Sequence, residues 1–235
     1  MKGNKSVPVK RIVDIGLTVL LLCVMAYQVT GEVLHEWIGI GMTVLVIVHQ
    51  IMNRKWYGAL FKGKYNAYRI VTTVADVLLL VSFAMTAVSG MSMSGHAVPF
   101  LNGIIKPSLS GRLHLSMSHW SFVLMGFHLG LHFPAMVAAA KPAATTKRVL
   151  FAVFGCVACV GLFLFATSKI PAYLFFRVPF AFLDYNTPAP LVFLENLAML
   201  MTWAFVGTVT ALLCSKPAGR KAKQPDRFSG ENRDE

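Results

Sequence analysis

Six long apolar runs constrain this chain more than any other feature. About 20 apolar residues in a helix cross a bilayer core, where backbone polar groups must be satisfied internally. The composition, 56% hydrophobic and 14% charged, is too apolar for an ordinary soluble domain. We therefore predict an all-α polytopic membrane bundle of six transmembrane helices. They cover roughly Ile12–Val29, Val33–Met52, Ile70–Gly90, Leu113–Phe133, Val149–Ser168 and Leu191–Cys214.

The net charge of +12 is unevenly distributed along the chain. With six spans, 18 of the 22 Lys and Arg residues fall on one side of the membrane. They lie in the N-terminal segment, the loops 54–69 and 141–148, and the tail after Cys214. The positive-inside rule then places both termini in the cytoplasm and the protein in the cytoplasmic membrane. Because topology accounts for the charge, no nucleic-acid partner is expected.

The chain is expected to contain one membrane domain, residues 1–215, followed by a polar, basic cytoplasmic tail at 216–235 that is predicted to be disordered. The first apolar run lacks a small-residue cleavage site, so it is interpreted as a span and not as a cleaved signal peptide. None of the four cysteines lies in a Cys-x-x-Cys-His motif, which excludes covalent c-type haem attachment. Cys156 and Cys159 are interpreted as small packing residues of an apolar helix.

Two histidine pairs share one spacing. His35 and His49 lie fourteen positions apart in the second run, and His114 and His128 lie fourteen apart in the fourth. Fourteen residues make about four helical turns, so each pair shares a helix face and is separated by roughly 21 Å along the axis. Imidazole is an axial haem ligand, and ionisable residues at membrane depth are usually functional. The pattern predicts two non-covalent b-type haems in a four-helix core, with two further helices outside it.

The first four runs also look like one hairpin repeated twice. A basic residue, an aspartate (Asp14, then Asp76) and a Thr/Ser-Gly stop (Thr30–Gly31, then Ser89–Gly90) precede each two-histidine run. Repeated hairpins of equal orientation pack about an axis along the membrane normal. Depth matching then pairs His35 with His114 on the outer side, and His49 with His128 on the inner side.

Small and flexible residues accompany the predicted ligands. Gly39 and Ser118 lie one turn from a ligand histidine and would leave room for a flat macrocycle. Met42 and Met125 would fill the space between the two haems, since methionine packs adaptably.

The remaining histidines have alternatives. His132 lies five turns beyond His114 on the same face, so it is an alternative to His128 as the inner ligand. Otherwise it would bond a haem propionate or line a quinone pocket. His119 is interpreted as a packing or interhelix hydrogen-bonding residue, and His96 as a solvated loop residue.

The polar and aromatic residues near the helix ends also have structural interpretations. For Asp14 and Asp76, pairing with Lys10, Arg11 or Arg69 is preferred over a proton route. Trp37 and Trp120 are predicted to be interface anchors. The aromatic, proline-broken segment 170–190 is predicted to lie along the outer interface as one or two short amphipathic pieces.

Three motifs in order resemble the flavinylation-associated cytochrome family, formerly a domain of unknown function. They are His35-Glu-Trp-Ile-Gly39 with His49 and Asn53-Arg-Lys-Trp56; Arg112-Leu-His114 through His132; and Tyr173-Leu-Phe-Phe-Arg177 with Phe180-Ala-Phe-Leu-Asp184. The resemblance implies a membrane b-type cytochrome that passes electrons to extracytoplasmic flavoproteins. In the family, the last histidine is followed by an aromatic residue that is often Trp, whereas this chain has Phe133 at that position. The chain also lacks a flavinylation motif of its own.

We therefore expect an electron-transfer subunit of an oxidoreductase system. It would pass electrons from a quinol or cytoplasmic-side donor to an outer acceptor, with a bound quinone as a further candidate cofactor. The alternatives are a membrane subunit of a ferric, flavin or quinone-linked reductase, a histidine-lined metal transporter, and a passive membrane anchor. The transporter predicts ligands clustered at one depth with carboxylates, and the anchor does not require matched histidines.

Overall fold

The structure is a computed structural model that describes residues 9–215. All regular structure in that range is helical. The predicted tail at 216–235 lies outside the described residues. The helices are α1 (Val9–Met25), α2 (Tyr27–Met52), α3 (Lys55–Ala59), α4 (Ala67–Met91), α5 (Pro107–Ala140), α6 (Ala144–Thr167), α7 (Ile170–Leu174) and α8 (Ala189–Cys214), with a 3₁₀ turn at Pro99–Leu101.

Five of these helices, α2, α4, α5, α6 and α8, are long and apolar enough to cross a membrane. Many of their large apolar side chains are exposed, among them Val44 and Leu194 at 56% and 61%. Such a surface suits contact with lipid, as expected of a multi-pass membrane protein. The helix α1 has 17 residues, which is about 26 Å. The helical membrane bundle therefore agrees with the sequence, whereas the count of six spans stays a prediction.

The first span ends earlier than predicted, whereas the predicted stop at Thr30–Gly31 coincides with an interruption of the helical backbone. The chain breaks at the buried Ala26, and α2 begins at Tyr27, before the predicted stop at Thr30–Gly31. Gly31 instead lies inside α2 with a φ of 68°, a left-handed conformation that glycine adopts without a Cβ penalty, and it marks a kink. The matching pair Ser89–Gly90 lies in the last turn of α4, which ends at Met91, one residue after the predicted stop.

The first four long helices form two antiparallel hairpins. α1 packs on α2, and α4 packs on α5. α5 also packs along α8, which in turn packs on α6. The backbone of the first hairpin approaches the other helices mainly where α1 meets α8 and α2 meets α4. Its buried side chains, among them Leu17 and Met42, belong to the same hydrophobic core as Phe122 and Leu200. The two histidine-bearing helices, α2 and α5, are therefore neighbours whose backbones do not pack closely.

The interface between α5 and α8 depends on glycine. A Cβ at Gly130 would collide with the backbone of Ala204, and one at Gly207 would collide with the backbone of Phe127. The hydroxyl of Thr208 donates to the carbonyl of Gly130 across the same interface at 3.1 Å. Small residues allow this close approach of helix backbones, which drives helix association in membranes.

The loop after α4 is tied to α2 by one carboxylate. Glu36 accepts hydrogen bonds from the hydroxyl of Ser94 at 2.7 Å and from the backbone N–H groups of Gly95, His96 and Ala97 at 3.0, 2.8 and 2.8 Å. This clamp fixes the loop over the end of the bundle where α2 and α5 begin, which we call the His35 end. The opposite end is the His49 end.

The aromatic segment lies at the His35 end. Its first part is the short helix α7, and the residues from Phe175 to Pro188 are irregular. The backbone N–H of Phe182 donates to the hydroxyl of Tyr173 at 2.8 Å, which folds the irregular part back onto α7. The segment thus contains one short helix, where one or two short pieces were predicted.

Candidate functional site

His35 and His114 face each other at the His35 end of the bundle. Their ring centroids lie 6.0 Å apart and their planes are nearly perpendicular, at 78°. The facing predicted for these two histidines is therefore present. Because the backbones of α2 and α5 do not pack closely, the two side chains meet across a gap between helices.

A cavity of about 520 Å³ surrounds this pair. It lies within the size range of small-molecule and cofactor sites, and its walls come from α1, α2, α4, α5, α7 and α8. Gly39 and Ser118 line it, as their spacing from the histidines predicted. A Cβ at Gly39 would meet nothing within 4 Å, so the wall beside His35 is open.

The His114 ring is fixed by the backbone of α4. Its Nδ1–H donates to the carbonyl of Thr86 at 3.0 Å, so Nε2 carries the lone pair that a metal needs. Gly90 makes room for the ring, because a Cβ at this position would lie 2.9 Å from Cε1 of His114.

The His35 ring is less completely satisfied. Its Nδ1 is buried and has no hydrogen-bond partner among the described residues. The backbone of Val24 in α1 lies near the His35 ring, but the two do not form a hydrogen bond. Buried polar groups are normally paired, so a buried ring nitrogen without a hydrogen-bond partner is unusual.

At the His49 end, each predicted ligand histidine is paired with a carboxylate. Nδ1 of His49 lies 3.0 Å from Oδ1 of Asp14, and Nδ1 of His128 lies 2.7 Å from Oδ1 of Asp76. A carboxylate on one ring nitrogen orients the imidazole for a metal bound to the other nitrogen. In His49 that other nitrogen, Nε2, accepts a hydrogen bond from the side-chain amide of Asn53 at 3.3 Å, which a bound metal would have to displace. Both pairs join the second helix of a hairpin to its first.

The preferred interpretation of the two aspartates was therefore wrong. We predicted pairing with Lys10, Arg11 or Arg69, but the amine of Lys10 donates to Oδ1 of Asn53 at 3.1 Å. The guanidinium of Arg69 instead binds backbone carbonyls of the loop between α3 and α4. Asp14 lies about one and a half turns inside α1 and Asp76 about two and a half turns inside α4. At these positions a histidine of the neighbouring helix reaches each carboxylate.

The contacts of the four histidines repeat with the hairpins. Asp14 and Val24 lie ten residues apart in α1, and Asp76 and Thr86 lie ten apart in α4. Each first helix thus presents a carboxylate to one histidine. In α4 the carbonyl of Thr86 also accepts from the other histidine, whereas the backbone of Val24 lies near His35 without forming a hydrogen bond. The sequence offered the aspartates as a signal, but a backbone carbonyl leaves no mark in the side-chain pattern.

His132 lies beside His128, with ring centroids 4.8 Å apart. Ligand atoms of Asp76, His128 and His132 lie within 4.8 Å of one another, close enough to hold a metal ion. The choice between His128 and His132 as the inner haem ligand stays a prediction. Asp14 and Asp76 accompany the histidines at this end, which is the kind of carboxylate and histidine grouping that the transporter alternative predicts.

His119 and His96 occupy different environments. Nδ1–H of His119 donates to the carbonyl of Leu115 in its own helix at 2.6 Å, and its ring centroid lies 4.9 Å from that of Tyr173. His119 also lines the cavity, which the sequence did not predict. His96 is exposed in its loop, as predicted, with Nε2 3.8 Å from a carboxylate oxygen of Glu32.

The two methionines predicted to pack and the two tryptophans predicted to be interface anchors also have different environments. Met42 is buried in the core and Met125 packs against it. Trp37 is 56% exposed, which suits an interface anchor. Trp120 is partly buried and donates from Nε1 to the carbonyl of Leu174 at 3.0 Å, so it fixes α7 to α5.

The end of the aromatic segment is organised by Asp184. The hydroxyl of Thr187 and the backbone N–H of Asn186 donate to its carboxylate at 2.7 and 2.9 Å and hold the pKa of Asp184 below its usual range. Phe180 and Phe182 of this segment line the cavity, although both are more than half exposed. Two exposed aromatic side chains of this segment therefore line the cavity, together with the exposed Glu32 of α2.

Comparison with known proteins gives no match. No family model, no curated protein and no solved structure matches this chain. The resemblance to the flavinylation-associated cytochromes therefore stays an expectation, and the function is argued from the site.

Proposed function

We propose that this protein is a membrane electron-transfer cytochrome with two bis-histidine b haems. Electrons pass from a quinol or cytoplasmic-side donor to an extracytoplasmic acceptor, for which the resemblance favours a flavoprotein. His35 and His114 hold the haem at the His35 end, and His49 and His128 hold the other.

The single observation that carries this proposal is the gap spanned by His35 and His114. Two helices that do not pack closely present imidazoles whose ring centroids lie 6.0 Å apart. Metal–imidazole bonds of roughly 2 Å on both sides of one iron, plus the radius of each ring, give a similar separation. A packing role for the two histidines would not require a cavity between their helices.

The surroundings of this pair fit a flat macrocycle. The cavity extends beyond the two rings, and its apolar wall is open beside Gly39. The hydrogen bond from His114 to the Thr86 carbonyl fixes the tautomer that a haem ligand needs. The orphaned Nδ1 of His35 fits as well, because a small shift on ligation would bring it onto the neighbouring backbone of α1.

At the His49 end, the support comes from the paired carboxylates. Asp14 and Asp76 orient His49 and His128 through Nδ1 and make each imidazole a stronger electron donor. Along α2 and α5 the two ligand levels are separated by roughly 21 Å. The core methionine Met42 fills part of the space between them.

The chemistry follows from the ligand set. Haem supplies one-electron transfer, and two imidazoles on each iron leave no open position for oxygen or substrate. The side chains hold and orient the groups, and the apolar bundle excludes water. The chain thus supplies a path for electrons across the bilayer and performs no bond chemistry with its own side chains.

Redox difference spectra of the purified full-length protein test the proposal, together with pyridine haemochrome quantitation. We expect about two b haems per chain and the spectrum of low-spin bis-histidine iron. A protein that stays colourless after expression with ample haem would contradict the proposal.

A metal transporter is the second candidate, and one observation favours it. Asp76, His128 and His132 come together as nitrogen and oxygen ligands of the kind that bind divalent transition metals. Elemental analysis of the same preparation separates the two functions. Bound zinc or manganese at one ion per chain without haem favours transport, and iron in haem favours electron transfer.

A further inference from the structure

His119 and Asn196 line the cavity at the His35 end but are not needed for ligation. His119 lies five residues beyond His114, which places it about 140° around α5 and roughly 7.5 Å along its axis. Asn196 comes from α8, the helix that packs on α5. The two residues therefore lie on a part of the cavity wall different from that of the histidine pair.

The polar atoms of both residues are available to a ligand. Asn196 is 7% exposed, lines the cavity, and forms no side-chain hydrogen bond with another described residue. His119 is enclosed in the bundle but keeps part of its surface accessible, because it lines the cavity. The Asn196 amide is not among the buried orphaned groups, and because the residue lines the cavity, a ligand in the cavity can bind it.

The hydrogen bond of His119 determines what its free nitrogen can bind. Because Nδ1–H donates to the Leu115 carbonyl at 2.6 Å, Nε2 of the neutral ring is an acceptor. It therefore requires a ligand with an O–H or N–H group. The amide of Asn196 both donates and accepts, so the pair suits a hydroxyl-bearing ligand and not a carboxylate.

The surroundings of His119 and Asn196 favour a neutral, apolar headgroup at this part of the cavity. No Lys or Arg lines the cavity in the described part of the chain, whereas the acidic Glu32 and Glu36 do. An anion would therefore lack a counter-charge. Phe180 and Phe182 line the cavity and are 59% and 55% exposed, which favours entry of a hydrophobic molecule from the membrane interface.

We infer that His119 and Asn196 form a binding subsite for the headgroup of a quinol, beside the His35–His114 pair. A quinol hydroxyl donates to Nε2 of His119, the Asn196 amide binds an oxygen of the headgroup, and Tyr173 lies against the His119 ring. This inference rests on the proposed function, because it places a quinol headgroup next to the haem proposed for His35 and His114.

The test uses the full-length protein in lipid nanodiscs and the quinol-site ligand 2-heptyl-4-hydroxyquinoline N-oxide, whose fluorescence is quenched on binding. The variants are His119→Phe, which keeps a ring against Tyr173 but removes the acceptor, and Asn196→Leu, which keeps the volume. His119→Gln restores a side-chain acceptor. His96→Phe and Asn186→Leu are matched controls at exposed positions.

We expect the dissociation constant to rise at least tenfold in His119→Phe and Asn196→Leu, to recover partly in His119→Gln, and to be unchanged in the controls. Haem content should stay at the wild-type value in all five variants. Wild-type protein that contains haem but does not bind the ligand overturns the inference, as does unchanged binding in both His119→Phe and Asn196→Leu. Haem-free protein whose ligand binding still depends on His119 and Asn196 would contradict the proposed function and retain the subsite.

Discussion

Oδ1 of Asp76 lies 2.7 Å from Nδ1 of His128. The same contact, at 3.0 Å, joins Asp14 to His49 in the other hairpin. One helix of each hairpin thus orients a histidine of the other, so the repeat extends from the sequence to the side-chain contacts. Substitution of either carboxylate should therefore change the proposed haem at the His49 end without changing the other haem.

Removing the charge of Asp76 should change only that haem. In Asp76→Asn we expect its midpoint potential to rise, because losing a negative charge disfavours the ferric state. Its affinity should fall by about 10- to 100-fold, as for other partners of metal-bound histidine. Potentiometric titration and haem quantitation measure both effects. Asp184→Asn, at an exposed position, is the control, and equal potentials in the two variants would contradict the prediction.

Replacing a histidine of the facing pair should remove one haem of two. His35→Ala and His114→Ala should each lower the content from about two b haems per chain to about one, because one imidazole is lost from a two-ligand site. The remaining haem should keep the sensitivity to Asp76→Asn. His96→Ala should leave the content unchanged. Loss of both haems in a variant that still elutes as a folded protein would argue against independent levels.

His128 and His132 can be distinguished by the same measurement. If His128 is the inner ligand, His128→Ala should lower the haem content to about one per chain, whereas His132→Ala should retain about two. The ring of His132 lies 4.8 Å from that of His128, so its loss should still alter the potential or the spectrum of the inner haem. The reverse order of effects would assign the ligand to His132.

The close approach of α5 and α8 predicts a stability effect at Gly130. Gly130→Ala should destabilise the bundle by about 1–3 kcal/mol, because the added methyl group meets the backbone of Ala204. Gly41→Ala is the control, since a Cβ there meets nothing within 4 Å. Thermal unfolding of the two variants in detergent gives the comparison. Equal melting temperatures would show that the interface relaxes without cost.

The Glu36 clamp predicts a local change in amide exchange. In Glu36→Ala, the backbone N–H groups of Gly95, His96 and Ala97 lose their acceptor. Their hydrogen-exchange protection should fall at least roughly tenfold, because hydrogen bonds to a charged acceptor are the stronger ones. Glu32→Ala removes a carboxylate that is not bonded to these amides. Unchanged protection in Glu36→Ala would show that the loop is held by other contacts.

Much of the helical arrangement could be predicted from the sequence. Apolar runs of about twenty residues located the five long helices, because a span must satisfy its backbone internally. The fourteen-residue spacing brought His35 opposite His114, since helical periodicity fixes the face and depth of each residue. The end of α1 and the beginning of α2 were misplaced, because hydrophobicity does not distinguish the break at Ala26 from the kink at Gly31.

The contacts of the site were harder to predict. Whether Asp14 would pair with Lys10 or with His49 depends on the tilt and rotation of α1 against α2. Those angles are determined by tertiary packing and not by spacing along one helix. The cavity-lining position of His119 was missed for the same reason, since it depends on the placement of α7 and α8 around α5.

The slight attachment of the α1–α2 hairpin has a consequence for biogenesis. The backbone of this hairpin approaches the remaining helices at few places, and the proposed haems lie on the seam between the two parts. Insertion into the bilayer and final assembly then become separate events, with the prosthetic groups joining the halves. Cells starved of haem should contain less of the protein, because quality-control proteases remove the inserted but unassembled precursor.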